Sequence, residues 1–390
     1  MTVPSLHRRR GAIAAHLRAL FGAGVALMMF SGCAEPVATS YRHQEQLKTI
    51  PEKHQKEIKE ILVRTFGSPV DPRWQIPPAP SEAKEGETAT PLTWTSKVDV
   101  RELRHGATVF QQRCVGCHGE TGDGAGPAAV NLDPKPRDYR QGKFKFISTA
   151  RGAKPRRSDL ERIIRRGAKG TSMPAFSFMS DEDMEAVINY VMALSYRGEL
   201  ELALIAYSKE ELDEAGSFEP AYIAETVTAI DANWNNAADN LVTPKTVMPK
   251  RTPETVAAGA KVFLSNNCVQ CHGKDGRGGR NLGTGQQIPK DDWGHIAYAA
   301  DLTSGMLHGG RRPIDLYRRI DVGINGSPMP GFAETFKDDP DKIWHLVHFV
   351  LHVSEGGEIP KVDVTTATPP AGDAPPATDA KEAAPKGDAQ

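Results

Sequence analysis

The chain has 390 residues, with 48 lysines and arginines against 49 aspartates and glutamates, so its formal net charge is −1. A charge this close to zero argues against nucleic acid as the main partner. The length suggests two or three domains, and five cysteines are too few for a disulfide scaffold. Beyond the N-terminus there is no run of about 18 apolar residues, so we do not expect the rest of the chain to span a membrane.

The N-terminal segment has the pattern of an export signal. A basic run at residues 7–10 precedes an apolar stretch over 19–30, which is too short to cross a bilayer. The stretch ends in Ser-Gly-Cys33, which resembles the lipobox of bacterial lipoproteins, although Phe30 stands where that family usually has an aliphatic residue. The resemblance implies a signal peptide over 1–32 and acylation of Cys33. Several acyl chains would hold the exported chain on the membrane, facing the periplasm. The alternative is an ordinary signal peptide with a chance cysteine.

The other four cysteines belong to two copies of one motif, CVGCH at 114–118 and CVQCH at 268–272. Cys-x-x-Cys-His is typical of c-type haem attachment. Two sulfurs one helical turn apart reach the two vinyl groups of one haem, and the imidazole that follows points at the iron. A lone Cys-x-x-Cys would also suit a redox dithiol or half a zinc site. Two copies, each followed by histidine in an exported chain, favour two haems c. The predicted ligands are Cys114, Cys117, Cys268 and Cys271 for the thioethers and His118 and His272 for the iron.

The surroundings of each motif resemble class I cytochrome c. Gly106 and Phe110 precede the first motif as Gly259 and Phe263 precede the second. In that family the glycine lets the N-terminal helix cross the C-terminal helix closely, and the aromatic ring packs at the crossing. The resemblance therefore implies a mainly α fold with two tandem cytochrome c domains. It also implies that Pro127 offers its carbonyl to the proximal histidine of the first domain. The second domain has no proline at the matching place.

An internal repeat supplies a candidate for the sixth iron ligand. From Asp159 to Met173 and from Asp315 to Met329 the chain runs 14 residues in both copies, and a glycine lies six residues before each methionine. A Met-Pro in a loop is the usual distal ligand of class I cytochromes, and thioether ligation raises the reduction potential. The alternative, that each methionine only fills a gap in the core, explains the repetition in register less well. We therefore predict Met173 and Met329 as axial ligands.

Composition and periodicity divide the chain into six predicted segments. A short helix with a capping box at Thr49 and an end at Gly67 is expected to dock on a haem domain. The first domain is expected to close with a helix from Asp181 to Ser195, and an insert with helices at 199–206 and 220–240 to pack between the domains. The predicted segments are a signal peptide (1–32), a tether (33–97), cytochrome c domains (98–197 and 251–356), a helical insert (198–250) and a disordered Pro/Ala-rich tail (357–390).

Two further features have more than one interpretation. His345, His348 and His352 share one face of the last predicted helix, where they either bind a metal or face solvent or the tether. Residues 135–169 carry thirteen lysines and arginines against three acidic residues. This segment, which we call the basic segment, is either a solvent-exposed face, a neutraliser of the haem carboxylates, or a rim on which an acidic partner docks.

These features predict outer-sphere electron transfer through two low-spin His/Met haems, with no small-molecule substrate. The expected partners are redox proteins, such as a quinol-oxidising complex, a terminal oxidase or a dehydrogenase, and the membrane through the lipid anchor. The main alternative is a dihaem cytochrome c peroxidase, which needs one haem with an open or displaceable sixth site beside an acid–base group. Methionines that match in both domains favour the electron carrier. A haem sensor is a further alternative, but no signalling segment is visible.

Overall fold

The computed structural model describes residues 38–78, 94–279 and 289–363. The predicted signal peptide, Cys33 and residues 364–390 of the predicted tail lie outside these residues. The described part of the chain is mainly α-helical, and none of its helices is long and apolar enough to cross a membrane. Two short strands, β1 (Gln75–Ile76) and β2 (Thr95–Ser96), pair antiparallel with Gln75 opposite Ser96.

The α-helices fall into two repeats with additional helices around the first. The helices are α1 (Glu52–Phe66), α2 (Val100–Arg113), α3 (Val115–His118), α4 (Arg157–Arg166), α5 (Asp181–Glu210), α6 (Pro220–Asn235), α7 (Pro253–Ser265), α8 (Cys268–His272), α9 (Pro313–Asp321) and α10 (Asp341–Ser354). Helices α2 to α5 form the first repeat and α7 to α10 form the second. Each repeat begins with the helix that leads into a Cys-x-x-Cys-His motif and ends with the helix that follows a Met-Pro loop.

In both repeats the first helix crosses the last one at a glycine. A methyl group at Gly106 of α2 would lie 2.0 Å from the carbonyl oxygen of Ala186 in α5. Gly259 of α7 has the same relation to His345 in α10, also at 2.0 Å. The predicted crossings are therefore confirmed, because only a residue without a side chain permits this approach. Aromatic rings pack beside them, with ring centroids 5.3 Å apart for Phe110–Tyr190 and 5.0 Å apart for Phe263–Phe349.

Helix α5 runs unbroken from Asp181 to Glu210, so the prediction that it ends at Ser195 and that a new helix starts at 199 is wrong. Gly198 lies in its middle. A side chain at position 198 would meet the carbonyl oxygen of Arg140 at 2.0 Å. This glycine therefore serves close packing of a loop on the helix and does not terminate the helix.

Helix α1 ends before Gly67 as predicted, but it does not begin with a capping box. Its N-cap residue is Pro51, and the hydroxyl of Thr49 donates a hydrogen bond to the Gln46 carbonyl at 2.7 Å. The apolar face of α1 packs against α5 of the first domain, which confirms the predicted docking. The buried residues on this face include Ile58, Ile61, Leu62 and Phe66.

The insert adds its apolar surface to the first core. Helix α6 packs against α5 and β1, and its buried Trp234 donates its indole N–H to Glu199 at 2.9 Å. Among the described residues, the side-chain hydrogen bonds that join the insert to the second domain come from its end, where Trp344 donates to the carbonyl of Thr246 at 3.0 Å. The expectation that the insert helices pack between the domains is therefore wrong. Their apolar residues complete the core around α5.

The second core is built from α7, α9 and α10. Helix α7 begins at the predicted cap, where the side chain of Thr252 accepts from the N–H of Thr255 and Pro253 is the first helical residue. Residues 357–363 of the predicted disordered tail are described, and Ile359 and Val362 pack against this core. The first residues of the tail are thus ordered, because these two apolar side chains pack on the second core.

Gly106→Ala should lower the free energy of unfolding by about 1–3 kcal/mol, because the added methyl group would push two helix backbones apart. Thr108→Ala is the control, since Thr108 lies on the exposed face of the same helix. The measurement is urea unfolding of the haem-loaded protein followed by circular dichroism. Equal losses in the two variants would contradict the role of the crossing.

Candidate functional site

The first Cys-x-x-Cys-His motif follows α2 without a break. Cys114 is both the C-cap residue of α2 and the N-cap residue of α3. Its carbonyl accepts from the N–H groups of Cys117 and His118 at 3.2 and 2.9 Å. One helical turn therefore separates the two sulfurs, as attachment to a single haem requires. The second motif forms α8, which begins at Cys268 after Asn266 and Asn267 have separated it from α7.

The first cysteine of each motif does not have the character of a redox nucleophile. Burial raises the pKa of the Cys114 thiol to about 12 and that of Cys268 to about 11. A catalytic dithiol needs a lowered pKa, because its thiolate is the nucleophile. A sulfur held neutral in an apolar surrounding suits a thioether instead. In the part of the chain that the structure describes, these four cysteines form no disulfide.

Both histidines have the hydrogen-bond partner that a proximal ligand needs. The Nδ1 atom of His118 lies 3.0 Å from the carbonyl oxygen of Arg137, and that of His272 lies 3.0 Å from the carbonyl oxygen of Ala300. A carbonyl only accepts, so Nδ1 carries the proton and Nε2 keeps its lone pair. Burial lowers the pKa of both imidazoles. Each histidine is thus held as the neutral tautomer that binds iron, so the residues fit a haem at both places.

The acceptor for His118 is the carbonyl of Arg137 and not that of Pro127, so this implication of the resemblance is wrong. Pro127 lies exposed on the loop that follows the motif. The sequence could not identify Arg137 and Ala300 as acceptors, because every residue type has a backbone carbonyl. The loops that lead from the two motifs to these residues also differ in length. The structure matches them through backbone bonds two residues later. These are Tyr139 N–H to the Gly122 carbonyl and Leu302 N–H to the Gly276 carbonyl, both at 2.8 Å.

The first site has an aromatic neighbour where the second has an aliphatic one. The ring of Tyr139 stacks on that of His118, with centroids 4.8 Å apart, and its hydroxyl lies 3.3 Å from Nε2. Leu302 occupies the matching position of the second site. Sequence analysis did not single out this difference, because the loop between motif and Tyr139 has no counterpart of equal length. The polarity beside the two histidines differs, so we expect the two haems to differ in potential.

Met173 and Met329 lie in loops of the same construction. We call residues 167–176 the Met173 loop and residues 323–332 the Met329 loop. Each begins with a glycine at positive φ, Gly167 at 70° and Gly323 at 80°, packed against the methionine carbonyl. The sequence repeat is thus a structural repeat, while the approach of each sulfur to iron stays a prediction. In each loop a hydroxyl accepts from the methionine N–H, Thr171 at 3.2 Å and Ser327 at 3.3 Å.

The three histidines of α10 do not form a metal site. No group of three or more His, Cys, Asp or Glu side chains in the described ranges is arranged to hold a metal ion. The Nδ1 atom of buried His348 lies 3.0 Å from the hydroxyl of Thr255 in α7. The Nε2 atom of His352 lies 3.0 Å from the carbonyl of Glu358. His348 therefore contacts α7, and His352 contacts the segment that follows α10.

Part of the basic segment contacts the second domain, so these residues do not form the open docking rim that was one of its three interpretations. Lys143 pairs with Asp292 at 2.5 Å, and Lys145 pairs with Asp291 at 2.8 Å. Lys154 pairs within the first domain, with Glu199 at 2.5 Å. The guanidinium of Arg137 lies 3.7 Å from the ring centroid of Trp293. These four cations are therefore already engaged.

Cations from both domains meet in a cleft beside the Met329 loop. The cleft is lined by Lys145, Arg151, Arg318 and Arg319, together with Gly323 and Asn325 of that loop. Burial lowers the pKa of Arg319 to about 10. Burial also lowers the pKa of Lys145, to which the charge of Arg137 contributes. A positive field at an iron site disfavours the ferric form and so raises the reduction potential.

Comparison with known proteins agrees with this geometry. The family model for cytochrome c matches residues 103–195 and again residues 256–354. Subunit FixP of a cbb3-type cytochrome c oxidase from Sinorhizobium medicae is 27% identical over 138 residues, which are 35% of this chain and 44% of that relative. The match thus spans less than half of the relative. A Kuenenia stuttgartiensis reducing HAO-like protein complex is 28% identical, over 64% of this chain and 95% of that chain, with a TM-score of 0.48.

Lys145→Glu should lower the free energy of unfolding by about 1–3 kcal/mol, because it places a negative charge beside Asp291, whose side chain is only 6% exposed. Adding Asp291→Lys should restore only part of the loss, because it forms the pair in reverse but removes the oxygen that accepts from the N–H groups of Trp293 and His295. Arg165→Gln, which breaks a more exposed pair with Asp181, should cost less than about 1 kcal/mol. Urea unfolding of all variants gives the coupling energy. If the double variant had the same free energy of unfolding as Lys145→Glu, the two charges would not interact.

Proposed function

Because the chain contains two tandem cytochrome c domains, each of which binds haem c covalently, we propose that it carries electrons between redox proteins on the periplasmic side of a membrane. The single observation that carries the proposal is the pair of matching histidine–carbonyl bonds, from His118 to Arg137 and from His272 to Ala300. They prepare two neutral imidazoles in equivalent positions. A chain with two equivalent iron sites suits electron passage better than a division into catalytic and auxiliary sites.

The residues around each site would attach the haem and fix its orientation. Cys114 and Cys117 would hold the first haem and Cys268 and Cys271 the second. The haem iron supplies the one-electron chemistry when it is bound. The carbonyls of Arg137 and Ala300 fix the ring orientation of the two histidines and keep the proton on Nδ1. Burial of these imidazole rings excludes water. A change in the charge of the iron would therefore require little rearrangement of solvent.

The construction of the two methionine loops favours a carrier over a peroxidase. A peroxidase needs one iron whose sixth position opens beside an acid–base group. Here the Met173 and Met329 loops have the same glycine start and the same hydroxyl bond to the methionine N–H. In these contacts within the domain, neither loop differs from the other. We therefore assign both methionines as axial ligands in this proposal, opposite His118 and His272.

The partners proposed are membrane redox complexes. The FixP relative is a subunit of a cbb3-type cytochrome c oxidase, so a terminal oxidase is a reasonable electron acceptor. A quinol-oxidising complex or a dehydrogenase would supply the electrons. Acylated Cys33 would keep the carrier at the membrane surface, where these complexes expose their redox sites.

Met173→Ala and Met329→Ala should each convert one of the two haems to a high-spin or water-ligated form and lower its potential, because the thioether ligand is lost. About half of the weak far-red absorption of the ferric protein should disappear in each variant. Met179→Ala is the control, since buried Met179 packs in the first core and has no repeat partner. Spectra and redox titrations unchanged in both ligand variants would show that other residues ligate the irons.

Cys33→Ser should release the protein into the soluble periplasmic fraction while both haems still attach, because export is kept and only the acyl chains are lost. Haem staining of washed membranes and of the soluble fraction, compared with the unchanged chain, measures the distribution. A variant that stays in the washed membranes would refute anchoring through Cys33.

A further inference from the structure

Each methionine loop is contacted by the other domain. The N–H of Gly309, in the second domain, donates to the carbonyl of Lys169 in the Met173 loop at 3.1 Å. In the opposite direction, Arg151 of the first domain donates to two carbonyls of the Met329 loop. Its guanidinium bonds the carbonyl of Met329 at 2.7 Å and that of Ser327 at 3.0 Å.

The two contacts come from matching parts of the repeat, since Arg151 and Gly309 both lie shortly before the helix that leads to the domain's own methionine. They differ in chemistry. The contact on the Met173 loop is a neutral backbone bond, whereas the contact on the Met329 loop comes from a charged, forked donor. Hydrogen bonds from an ionised donor are roughly twice as strong as neutral ones, and a fork adds geometric specificity.

The guanidinium of Arg151 also lies close to the start of the Met329 loop. A methyl group at Gly323, where the loop starts, would lie 2.7 Å from one of its terminal nitrogens, so a glycine leaves room for it there. The same nitrogen, Nη1, donates to the carbonyl of Met329 itself. The guanidinium therefore sits beside the loop start while it holds the peptide of the methionine. Movement of that methionine away from its place would break its bond to Arg151.

We propose that Arg151 is a positioning residue, supplied by the first domain, for the Met329 ligand of the second. It holds the Met329 peptide in place and so keeps the thioether available to the second iron. The Met173 loop receives no comparable charged donor through the Gly309 contact. The proposal rests on the ligand role assigned to Met329 above, and it makes ligation in one domain depend on contact with the other.

The test is competition between each methionine and added imidazole in the ferric, haem-loaded protein, followed by the loss of the far-red absorption. In Arg151→Gln, one haem should bind imidazole roughly three- to tenfold more tightly, while the other keeps its affinity. Met329→Ala identifies the affected haem as the second. Arg151→Lys should restore part of the native affinity, because it keeps the charge but loses the fork. Arg165→Gln, which removes a cation of the same segment from a pair within the first domain, should change neither affinity.

Three outcomes would overturn the proposal. Unchanged affinities in Arg151→Gln would show that the loop holds Met329 unaided. Equal changes at both haems would show that the substitution loosens the whole domain contact. Unchanged imidazole binding in Met329→Ala would remove the ligand assignment on which the proposal rests. Reduction by a small dye reports separately whether the chain still takes up electrons, and circular dichroism reports whether each variant is folded.

Discussion

The backbone contact between two helices at a glycine sets the geometry of each haem domain. Helix α2 approaches α5 so closely at Gly106 that no side chain fits between them. Helix α2 continues directly into the first Cys-x-x-Cys-His motif, and α5 begins five residues after Phe176 closes the Met173 loop, with Ser180 as its N-cap residue. The distance between the segments that carry the two axial ligands therefore depends on this crossing. Gly259 imposes the same constraint on the second domain. This explains why both domains have a glycine at the helix crossing although their loops differ in length.

Charged side chains contribute to the contact between the domains. The basic segment meets Asp291 and Asp292, and Arg137 covers the ring of Trp293. The Lys145–Asp291 pair is largely buried and costly to break singly, because the partner left behind stays desolvated. The Lys143–Asp292 pair is about half exposed and contributes less. In the proposed electron carrier, a contact held in this way would fix the relative position of the two iron sites, so that passage between the haems would need no search for a productive arrangement.

Sequence predicted those parts of the fold that depend on a residue type at a fixed spacing. The Gly106 and Gly259 crossings, the α7 cap and the registered methionine loops all belong to this class. The histidine acceptors could not be predicted, because a backbone carbonyl at Arg137 or Ala300 leaves no trace in the side-chain sequence. The helix break predicted between Ser195 and residue 199 was wrong, since a glycine in a helix looks the same in sequence whether it ends the helix or admits a neighbouring loop. The basic segment was ambiguous because its partners, such as Asp291, lie more than a hundred residues away.

The two iron sites share their predicted ligands, so any difference in potential has to come from their surroundings. At the first site, Tyr139 stacks on His118 and brings a hydroxyl to its ring. Burial raises the pKa of that hydroxyl far above its usual value, so it stays neutral and adds no charge. At the second site Leu302 adds no polarity, but the cations of the cleft border the Met329 loop. A neutral dipole acts only at short range, whereas cations in a poorly solvated cleft act over a longer distance. Lys145 is partly neutralised by Asp291, but Arg151, Arg318 and Arg319 also line the cleft. With Met329 as the proposed ligand of the second iron, these cations would favour the ferrous form of that haem, and an electron that entered at the first haem would pass to the second.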